Sequence, residues 1–119
     1  MKALGDDYEN RAAQWLQARG LRVLARNFRA RTGEIDLIAL DRTHLVFCEV
    51  RARRNRCYGT AAGTVDLRKQ RRLLHTAQFF IQRHPQLAHL PCRFDVIAFQ
   101  PPQSGSDLDI HWIPGAFTS

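Results

Sequence analysis

Apolar side chains recur at helical spacing in two segments of the chain. In residues 5–19 they fall at i, i+4, i+7 and i+8, and Gly20 is a natural stop. A second run begins after Thr64, a residue type that caps helices, and extends to about His84. The pattern therefore predicts two amphipathic helices. Their apolar positions are Tyr8, Ala12, Trp15 and Leu16 in the first, and Leu73, Leu74, Ala77, Phe80 and Ile81 in the second.

Between and after these helices, shorter apolar runs bounded by turn-forming residues are typical of β-strands. Four strands are predicted at residues 21–28, 33–40, 44–51 and 92–99, and a short edge strand at 108–113. The resulting order, α-β-β-β-α-β, predicts an α/β sandwich with a mixed central sheet. In it, an antiparallel meander is followed by a crossover helix that returns the last long strand to the sheet. We expect one domain over residues 1–100 and a C-terminal tail over 101–119 that carries the edge strand.

Three carboxylates lie in the hairpin of the second and third strands. A two- or four-residue turn centred between Arg42 and Thr43 places Asp36 opposite Glu49 and Glu34 opposite Arg51. Because strand side chains alternate, these four residues share one face. The opposite face is then filled by Ile35, Leu37, Ala39, Val46, Cys48 and Val50.

Like charges opposite each other destabilise a strand pair, so the Asp36–Glu49 pair requires compensation. A bound divalent cation, a shared proton or a neighbouring guanidinium such as Arg51 would each supply it. Oxygen ligands on an open site favour Mg²⁺ or Mn²⁺ over zinc. The alternative is that these acids are solvated strand ends held by arginines. Glu9 borders the buried face of the first helix, so it either points toward the same sheet edge or lies on the surface.

The chain is strongly basic, with a formal net charge of +7 and a pI of about 10.4, which favours a polyanionic partner. Residues 51–72 contain eight basic residues and one acidic residue, Asp66. This cluster predicts phosphate contacts beside the acids, and a solvated arginine-rich surface is the alternative. The candidate nucleic-acid-binding residues are Arg53, Arg54, Arg56, Lys69, Arg71 and Arg72.

Several features indicate a cytoplasmic protein. The start of the chain is amphipathic rather than basic and then apolar, so we expect no secretory signal. No stretch approaches the roughly 20 apolar residues that span a bilayer, so we expect no membrane partner. Cys48, Cys57 and Cys92 are odd in number and lack CxxC spacing, which favours reduced, buried thiols.

Long sequence motifs carry a resemblance to a known family. The stretches "GEIDLIA" and "VFCEVRAR", preceded by "YENRAAQWLQARGLRVLARNFR", resemble the YraN-type family of predicted bacterial endonucleases. The resemblance covers roughly residues 5–99. That family is similar to the restriction-endonuclease-like superfamily, which includes the archaeal Holliday-junction resolvases, and the resemblance implies the same fold.

The resemblance also implies a nuclease-type site. Asp36 and Glu49 would be ligands of Mg²⁺ or Mn²⁺, Glu9 would be an accessory ligand or organiser, and Arg51 would occupy the catalytic lysine position. Arginine departs from the family pattern, because it stabilises phosphate charge but does not act as a base. Lys69, the only internal lysine, would reach the site from the second helix. Asp95 also fits the family pattern, although it could equally pair with Arg93.

Two functions follow as hypotheses. The first is a metal-dependent endonuclease that cleaves phosphodiesters in structured or damaged DNA, for which the resemblance allows a homodimer. The second is a non-catalytic nucleic-acid-binding protein on a degenerate nuclease scaffold, because Arg51 stands in the lysine position. A protein-interaction module that uses its basic face on an acidic partner is a third interpretation without a motif behind it.

Overall fold

The computed structural model describes residues 4–52, 66–100 and 109–117 of the chain. Within them, two α-helices and five β-strands follow in the order that the sequence pattern predicts, and one short 3₁₀ turn follows the second helix. The elements are α1 (Leu4–Ala18), β1 (Arg22–Ala30), β2 (Gly33–Leu40), β3 (Leu45–Ala52), α2 (Leu67–Arg83), the 3₁₀ turn (Pro85–Leu87), β4 (Cys92–Gln100) and β5 (Asp109–Phe117).

The start of α2 and the end of β5 differ from the prediction, and the other element boundaries agree with it to within two residues. Helix α2 begins at Leu67, and its N-cap is Asp66, whose side chain accepts a hydrogen bond from the Lys69 backbone N–H at 2.8 Å. The N-cap prediction for Thr64, which itself lies outside the described residues, was therefore wrong. The terminal strand is longer than predicted, because β5 extends from Asp109 to Phe117 and pairs with β4.

The five strands form one sheet in chain order, β1-β2-β3-β4-β5. Strands β3 and β4 are parallel, from Leu45 opposite Cys92 to Ala52 opposite Phe99, and the other neighbouring pairs are antiparallel. A parallel pair requires a crossover, and α2 lies in that connection. The predicted α/β sandwich with a mixed sheet is thereby confirmed.

Each face of the sheet packs against one helix. On the α1 side, Leu16 is buried in one core cluster with Leu37, Val46 and Ile97. On the α2 side, Phe80 is buried in a second cluster with Phe47. Each of these large side chains contributes roughly 1.5–3 kcal/mol when it is removed from water. The two-residue alternation read from the sequence therefore positions both helices.

The β1–β2 pair is irregular at two places, the first of which is a register shift between Val23 and Ala25, and the second lies midway along the pair. Arg26 pairs with Leu37 and Phe28 with Ile35, so Asn27 lies opposite Asp36, and Asn27 has the left-handed φ of 52°. Beyond this point Ile35 joins the α2-side core together with Ile38. The prediction that Ile35 shares a face with Leu37 and Ala39 was wrong, because the two-residue alternation of β2 is interrupted between Ile35 and Leu37, across from the irregular backbone of Asn27.

A buried carboxylate ties β5 to the sheet. Asp95 of β4 is 1% exposed and accepts hydrogen bonds from Arg93 Nε at 2.9 Å, from Trp112 Nε1 at 2.8 Å and from the Gly115 N–H at 2.9 Å. Arg93 also binds Asp41 at 3.0 Å. The interpretation of Asp95 as a partner of Arg93 is confirmed, and the group is a structural one within the core.

The cysteines and the helices bear on two further expectations. Cys48 is buried and Cys92 is exposed, and both have free thiols, so the prediction of burial was wrong for Cys92. Cys57 lies outside the described residues. Neither helix in the part of the chain that the structure describes is long and apolar enough to cross a membrane.

Candidate functional site

An open pocket of about 330 Å³ lies where the first residues of β2, the end of β3 and the first turns of α2 meet. Charged residues of both signs face it, with one leucine and one glycine. Its lining comprises Gly33, Glu34, Asp36, Glu49, Lys69, Arg72 and Leu73. Three carboxylates and two cations therefore share one concave surface, and the carboxylates are those that the hairpin pattern placed together at this end of the sheet.

The predicted register of the hairpin is confirmed over the part that is paired. Leu40 lies opposite Leu45, Ile38 opposite Phe47 and Leu37 opposite Cys48. One residue further, Oδ2 of Asp36 accepts a hydrogen bond from the Val50 backbone N–H at 2.8 Å. The Asp36 side chain thus bonds directly to the backbone of β3, beside Glu49.

Asp36 lies in an environment that disfavours its charged form. Burial first, and then the neighbouring carboxylate of Glu49, raise the pKa of Asp36 from 3.8 to about 7, with smaller contributions from Glu9 and Glu34. The hydrogen bond from the Val50 N–H acts in the opposite direction. A carboxylate surrounded in this way is a candidate functional group, because a bound cation would relieve the repulsion.

Glu9 reaches the same sheet edge from α1. One carboxylate oxygen each of Glu9, Glu34 and Asp36 lies within 4.8 Å of the others, and Glu9 is half-buried. The interpretation in which Glu9 points toward the sheet is therefore the correct one. Glu34 is exposed and also accepts a hydrogen bond from Arg29 Nε at 3.2 Å.

Glu49 is paired with a lysine from the other side of the pocket. Nζ of Lys69 lies 2.5 Å from Oε1 of Glu49, and the two side chains are 33% and 11% exposed, respectively. Asp66 fixes the backbone of Lys69 through the N-cap bond, so the first turn of α2 presents the ammonium at a defined position. The suggestion that Lys69 reaches the site from the second helix is confirmed.

The remaining candidate residues fall in different places. Arg51 is half-buried on β3, in register with Ala98 of β4, and its role in the lysine position stays a prediction. Arg71 and Arg72 are exposed on α2, and Arg72 lines the pocket. Arg53, Arg54 and Arg56 lie outside the described residues.

Sequence reasoning missed one contribution to the pocket and left another incomplete. Glu34 was placed on the correct face but was not included among the site residues, although its carboxylate is within reach of Glu9 and Asp36. Lys69 was expected to reach the site, but its pairing with Glu49 was not predicted. Its position four residues before the buried Leu73 puts it on the core-facing stripe of α2, and that spacing was the available signal.

Two hydroxyl groups hold the β1–β2 turn against α2 at the edge of the pocket. Oγ1 of Thr32 and Oγ1 of Thr76 are 2.7 Å apart, and Thr76 also donates to the Arg72 carbonyl at 2.8 Å. Thr76 is fully buried. Gly33 has a φ of +150°, a conformation that residues with a side chain rarely adopt, and a Cβ there would be in ordinary contact with Thr76 Oγ1 at 3.5 Å, so backbone conformation rather than space favours glycine.

The donor set of the pocket fits Mg²⁺ or Mn²⁺. The carboxylates of Asp36 and Glu49, with Glu9 and Glu34 beside them, supply only oxygen ligands, which hard divalent cations prefer. The raised pKa of Asp36, which comes first from burial and then from the charge of Glu49, is consistent with this, because a bound cation would favour the charged carboxylate. The residues present therefore suit the metal that the sequence resemblance implied.

Fold and pocket together define a class: a small α/β sandwich whose mixed sheet carries a carboxylate-rich pocket at one edge, with a lysine from the crossover helix. A family model described as "Uncharacterised protein family UPF0102" matches residues 8–99. The chain belongs to this family, and the YraN-type resemblance of its motifs is confirmed.

Relatives of the same family match nearly the whole chain. A UPF0102 protein of Alcanivorax borkumensis is 51% identical over 118 residues, which cover 99% of this chain and 94% of the relative. A UPF0102 protein of Stutzerimonas stutzeri is 47% identical over 115 residues, or 97% of this chain and 94% of the relative. A third, of Pseudomonas fluorescens, is 43% identical over 115 residues, covering 97% and 92%.

Proposed function

We propose that this protein is a divalent-metal-dependent nuclease that hydrolyses phosphodiesters in structured or damaged DNA. One observation carries the proposal: Asp36 and Glu49 face a single open pocket in which the ammonium of Lys69 contacts Glu49. Acidic ligands beside a fixed cation are the groups that a metal-assisted attack on a phosphodiester requires. The similarity of the motifs to the restriction-endonuclease-like superfamily supports the same function.

Asp36 and Glu49 would hold the metal, with Glu9 and Glu34 as accessory ligands or organisers. When bound, Mg²⁺ or Mn²⁺ would polarise a phosphoryl oxygen and lower the pKa of a water molecule. The hydrogen bond from the Val50 N–H holds Oδ2 of Asp36 against the backbone of β3. The position of the whole carboxylate is therefore restrained before a metal binds. A preformed ligand of this kind loses little freedom on binding.

Lys69 provides the fixed positive charge of the site. Its ammonium restrains Glu49 and lies in the same pocket as the exposed Arg72, so two cations are available to a phosphate that enters. Positive groups aimed at a phosphoryl centre stabilise the charge that develops during displacement. In this arrangement Lys69 supplies the ammonium that the family pattern otherwise places at the position of Arg51.

The reaction is a hydrolysis. The oxygen of water forms a bond to phosphorus, the bond from phosphorus to the leaving sugar oxygen breaks, and the proton released by water is returned to that oxygen through solvent. The products are a terminal phosphate and a free hydroxyl group. Arg71 and Arg72 on the exposed face of α2 would hold flanking phosphates without reading sequence.

Cleavage assays with a matched pair of variants test the proposal. Purified protein is incubated with branched, gapped, single-stranded and intact duplex DNA in the presence of MnCl₂. We expect wild type and Asp7→Asn, a change at an exposed acid of α1, to cleave, and Asp36→Asn to be inactive. If wild type and Asp36→Asn leave the same products, the protein is not a nuclease of this kind.

A second function, binding of nucleic acid without cleavage, is favoured by a specific contact. The Lys69–Glu49 ion pair satisfies Glu49 without a metal, and Arg51 stands where a lysine is expected. This alternative predicts binding that weakens steeply with salt and survives EDTA. Arg51→Lys separates the two functions, because gained cleavage in that variant would show a site that lacks only the strand lysine.

A further inference from the structure

A second pocket lies directly beside the acidic one. It is open, has a volume of about 240 Å³ and is lined by Thr32, His75, Gln78, Phe79 and Gln82. Phe79 is 39% exposed and is one of three large apolar side chains that are exposed among the described residues. An aromatic ring that is exposed to solvent and surrounded by polar residue types is unlike the packed phenylalanines of the two cores.

The linings of the two pockets adjoin at two points, and the residues at these points form the wall between them. Gly33 lines the acidic pocket and Thr32 lines the second one, while Arg72 and His75 do so from successive turns of α2. The hydroxyl pair of Thr32 and Thr76 fixes this wall, since Thr76 is fully buried and bonds to both Thr32 and the Arg72 carbonyl. The position of one pocket relative to the other is therefore fixed, and so is the distance between ligands bound in them.

The lining of the second pocket matches a particular chemistry. The ring of Phe79 offers a face for stacking, and the amides of Gln78 and Gln82 each carry both a donor and an acceptor. Unpaired nucleobases are recognised by this combination of aromatic stacking and mixed hydrogen bonding at the base edge. A purely apolar occupant would cover the two amides and the imidazole of His75 without offering them a hydrogen bond.

The positive charge of α2 also favours a nucleic acid as the occupant. The helix contains five basic residues and no acidic residue, and three of its arginines, Arg68, Arg71 and Arg72, are exposed. A surface of this sign attracts a polyanion to the helix that carries Phe79. The phosphates and the base of one strand would then be bound by neighbouring parts of one element.

We propose that the pocket of Thr32, His75, Gln78, Phe79 and Gln82 is a subsite for an unstacked nucleobase of the DNA strand whose phosphate occupies the acidic pocket. This inference rests on the proposed function, and it adds a reason for substrate selection. A base in an intact duplex is stacked and paired, whereas a base at a bulge, gap or branch is free to enter. The subsite therefore directs the protein to DNA with unpaired bases.

Binding measurements in EDTA, where cleavage cannot occur, test the subsite. The probes are a fluorescein-labelled duplex, the same duplex with a two-thymine bulge, and the bulged duplex in which both bulged positions are abasic. We expect Phe79→Ala to bind the bulged duplex about 5- to 150-fold more weakly, the range of one base–aromatic stacking contact. Binding of the intact and abasic duplexes should not change. Phe79→Trp should retain the preference for the bulge, and its tryptophan fluorescence should be quenched by the bulged duplex.

Ile110→Ala is the matched control, because Ile110 is 37% exposed on β5, outside the pocket. If wild type binds the bulged duplex and Phe79→Ala binds it no more weakly than Ile110→Ala does, the subsite is overturned and the proposed function stays in place. If wild type binds none of the probes, both fail together. A change of oligomeric state in Phe79→Ala, measured by sedimentation, would overturn the subsite by assigning Phe79 to an interface between copies of the chain.

Discussion

The ammonium of Lys69 on α2 lies 2.5 Å from Oε1 of Glu49 on β3, although the two residues are 20 positions apart in the chain. The crossover between the parallel strands β3 and β4 places the first turn of α2 over the end of the hairpin, and Asp66 fixes that turn. The ion pair joins Glu49, an acid of the predicted metal site, to an ammonium group. The motif of β3 lacks such a group, because Arg51 stands in its lysine position. The pocket therefore holds an ammonium group of its own.

Lys69→Met should abolish most of the cleavage activity while the metal site remains. Loss of a charged group aimed at the phosphoryl centre is expected to lower the single-turnover rate about 100- to 1000-fold. Calorimetric titration with MnCl₂ should still detect binding, because the carboxylates are retained. Arg83→Met, in the last turn of the same helix, serves as the control and should cleave normally. Equal rates for wild type and Lys69→Met would remove Lys69 from the mechanism.

Asp36 should make the metal-free protein less stable as the pH rises. Its folded-state pKa of about 7 exceeds the ordinary value of 3.8, so its contribution to stability is fully present below the ordinary value. That contribution is lost as the pH rises through about 7. Because one pKa unit corresponds to about 1.4 kcal/mol, Asp36→Asn should be more stable than wild type by a few kcal/mol at pH 8 in EDTA. Urea denaturation at several pH values measures the difference, and a constant difference from pH 4 to pH 8 would contradict it.

Asp41 should show the opposite dependence. Partial burial raises its pKa, but the backbone N–H groups of Thr43 and His44 and the guanidinium of Arg93 outweigh this, so the pKa of Asp41 is lowered. Its contribution to stability is present above the ordinary value and is lost as the pH falls through the lowered value. Asp41→Asn should therefore destabilise the protein at neutral pH, and thermal denaturation in the same buffers should show this difference disappearing in acid.

Manganese should stabilise the wild-type protein. A ligand that binds only the folded state adds about 2.7 kcal/mol to the free energy of unfolding when its concentration is 100 times its Kd. This corresponds to an increase in Tm of several degrees for a domain of this size. Differential scanning calorimetry with and without MnCl₂ measures the increase, which should be absent in Asp36→Asn and retained in Asp7→Asn. An equal increase in all three proteins would indicate that the metal binds elsewhere.

Arg71→Ala and Arg72→Ala should weaken DNA binding without changing its preference for any sequence. Removal of one phosphate-binding side chain is expected to reduce the slope of log Kd against log salt concentration by about 1. Arg42→Ala is the control, because Arg42 is exposed in the β2–β3 turn at the opposite end of the hairpin from the pocket. Fluorescence anisotropy over a salt series gives the slopes, and an unchanged slope in the α2 variants would place the DNA elsewhere.

The strands and helices follow from local patterns in the sequence. Alternation with a period of two identifies β2 and β3, and the spacing of a short turn sets their register, so the sequence alone places Asp36 beside Glu49. Helical spacing identifies α1 and α2. These features depend on residues close in the chain, where the geometry of a strand or a helix fixes which side chains share a face.

Other features depend on contacts that no local pattern contains. Ile35 packs in a different core from Leu37, across the strand pair from the irregular backbone of Asn27, and alternation by itself predicts the opposite. The pairing of Arg93 with Asp41 joins residues 52 positions apart. The N-cap of α2 is Asp66 rather than Thr64, because the start of a helix depends on where its core-facing side chains can pack.

By itself, the sequence determined the fold class, the family and the placement of Asp36 and Glu49 at one end of the hairpin, since each is encoded in the order and spacing of neighbouring residues. Only the tertiary structure decided that Glu9 and Glu34 approach Asp36, that Lys69 contacts Glu49 and that Phe79 lies in a pocket beside them. The physical reason is that the packing of each helix against its face of the sheet sets these positions. That packing is a property of the whole core rather than of any one segment.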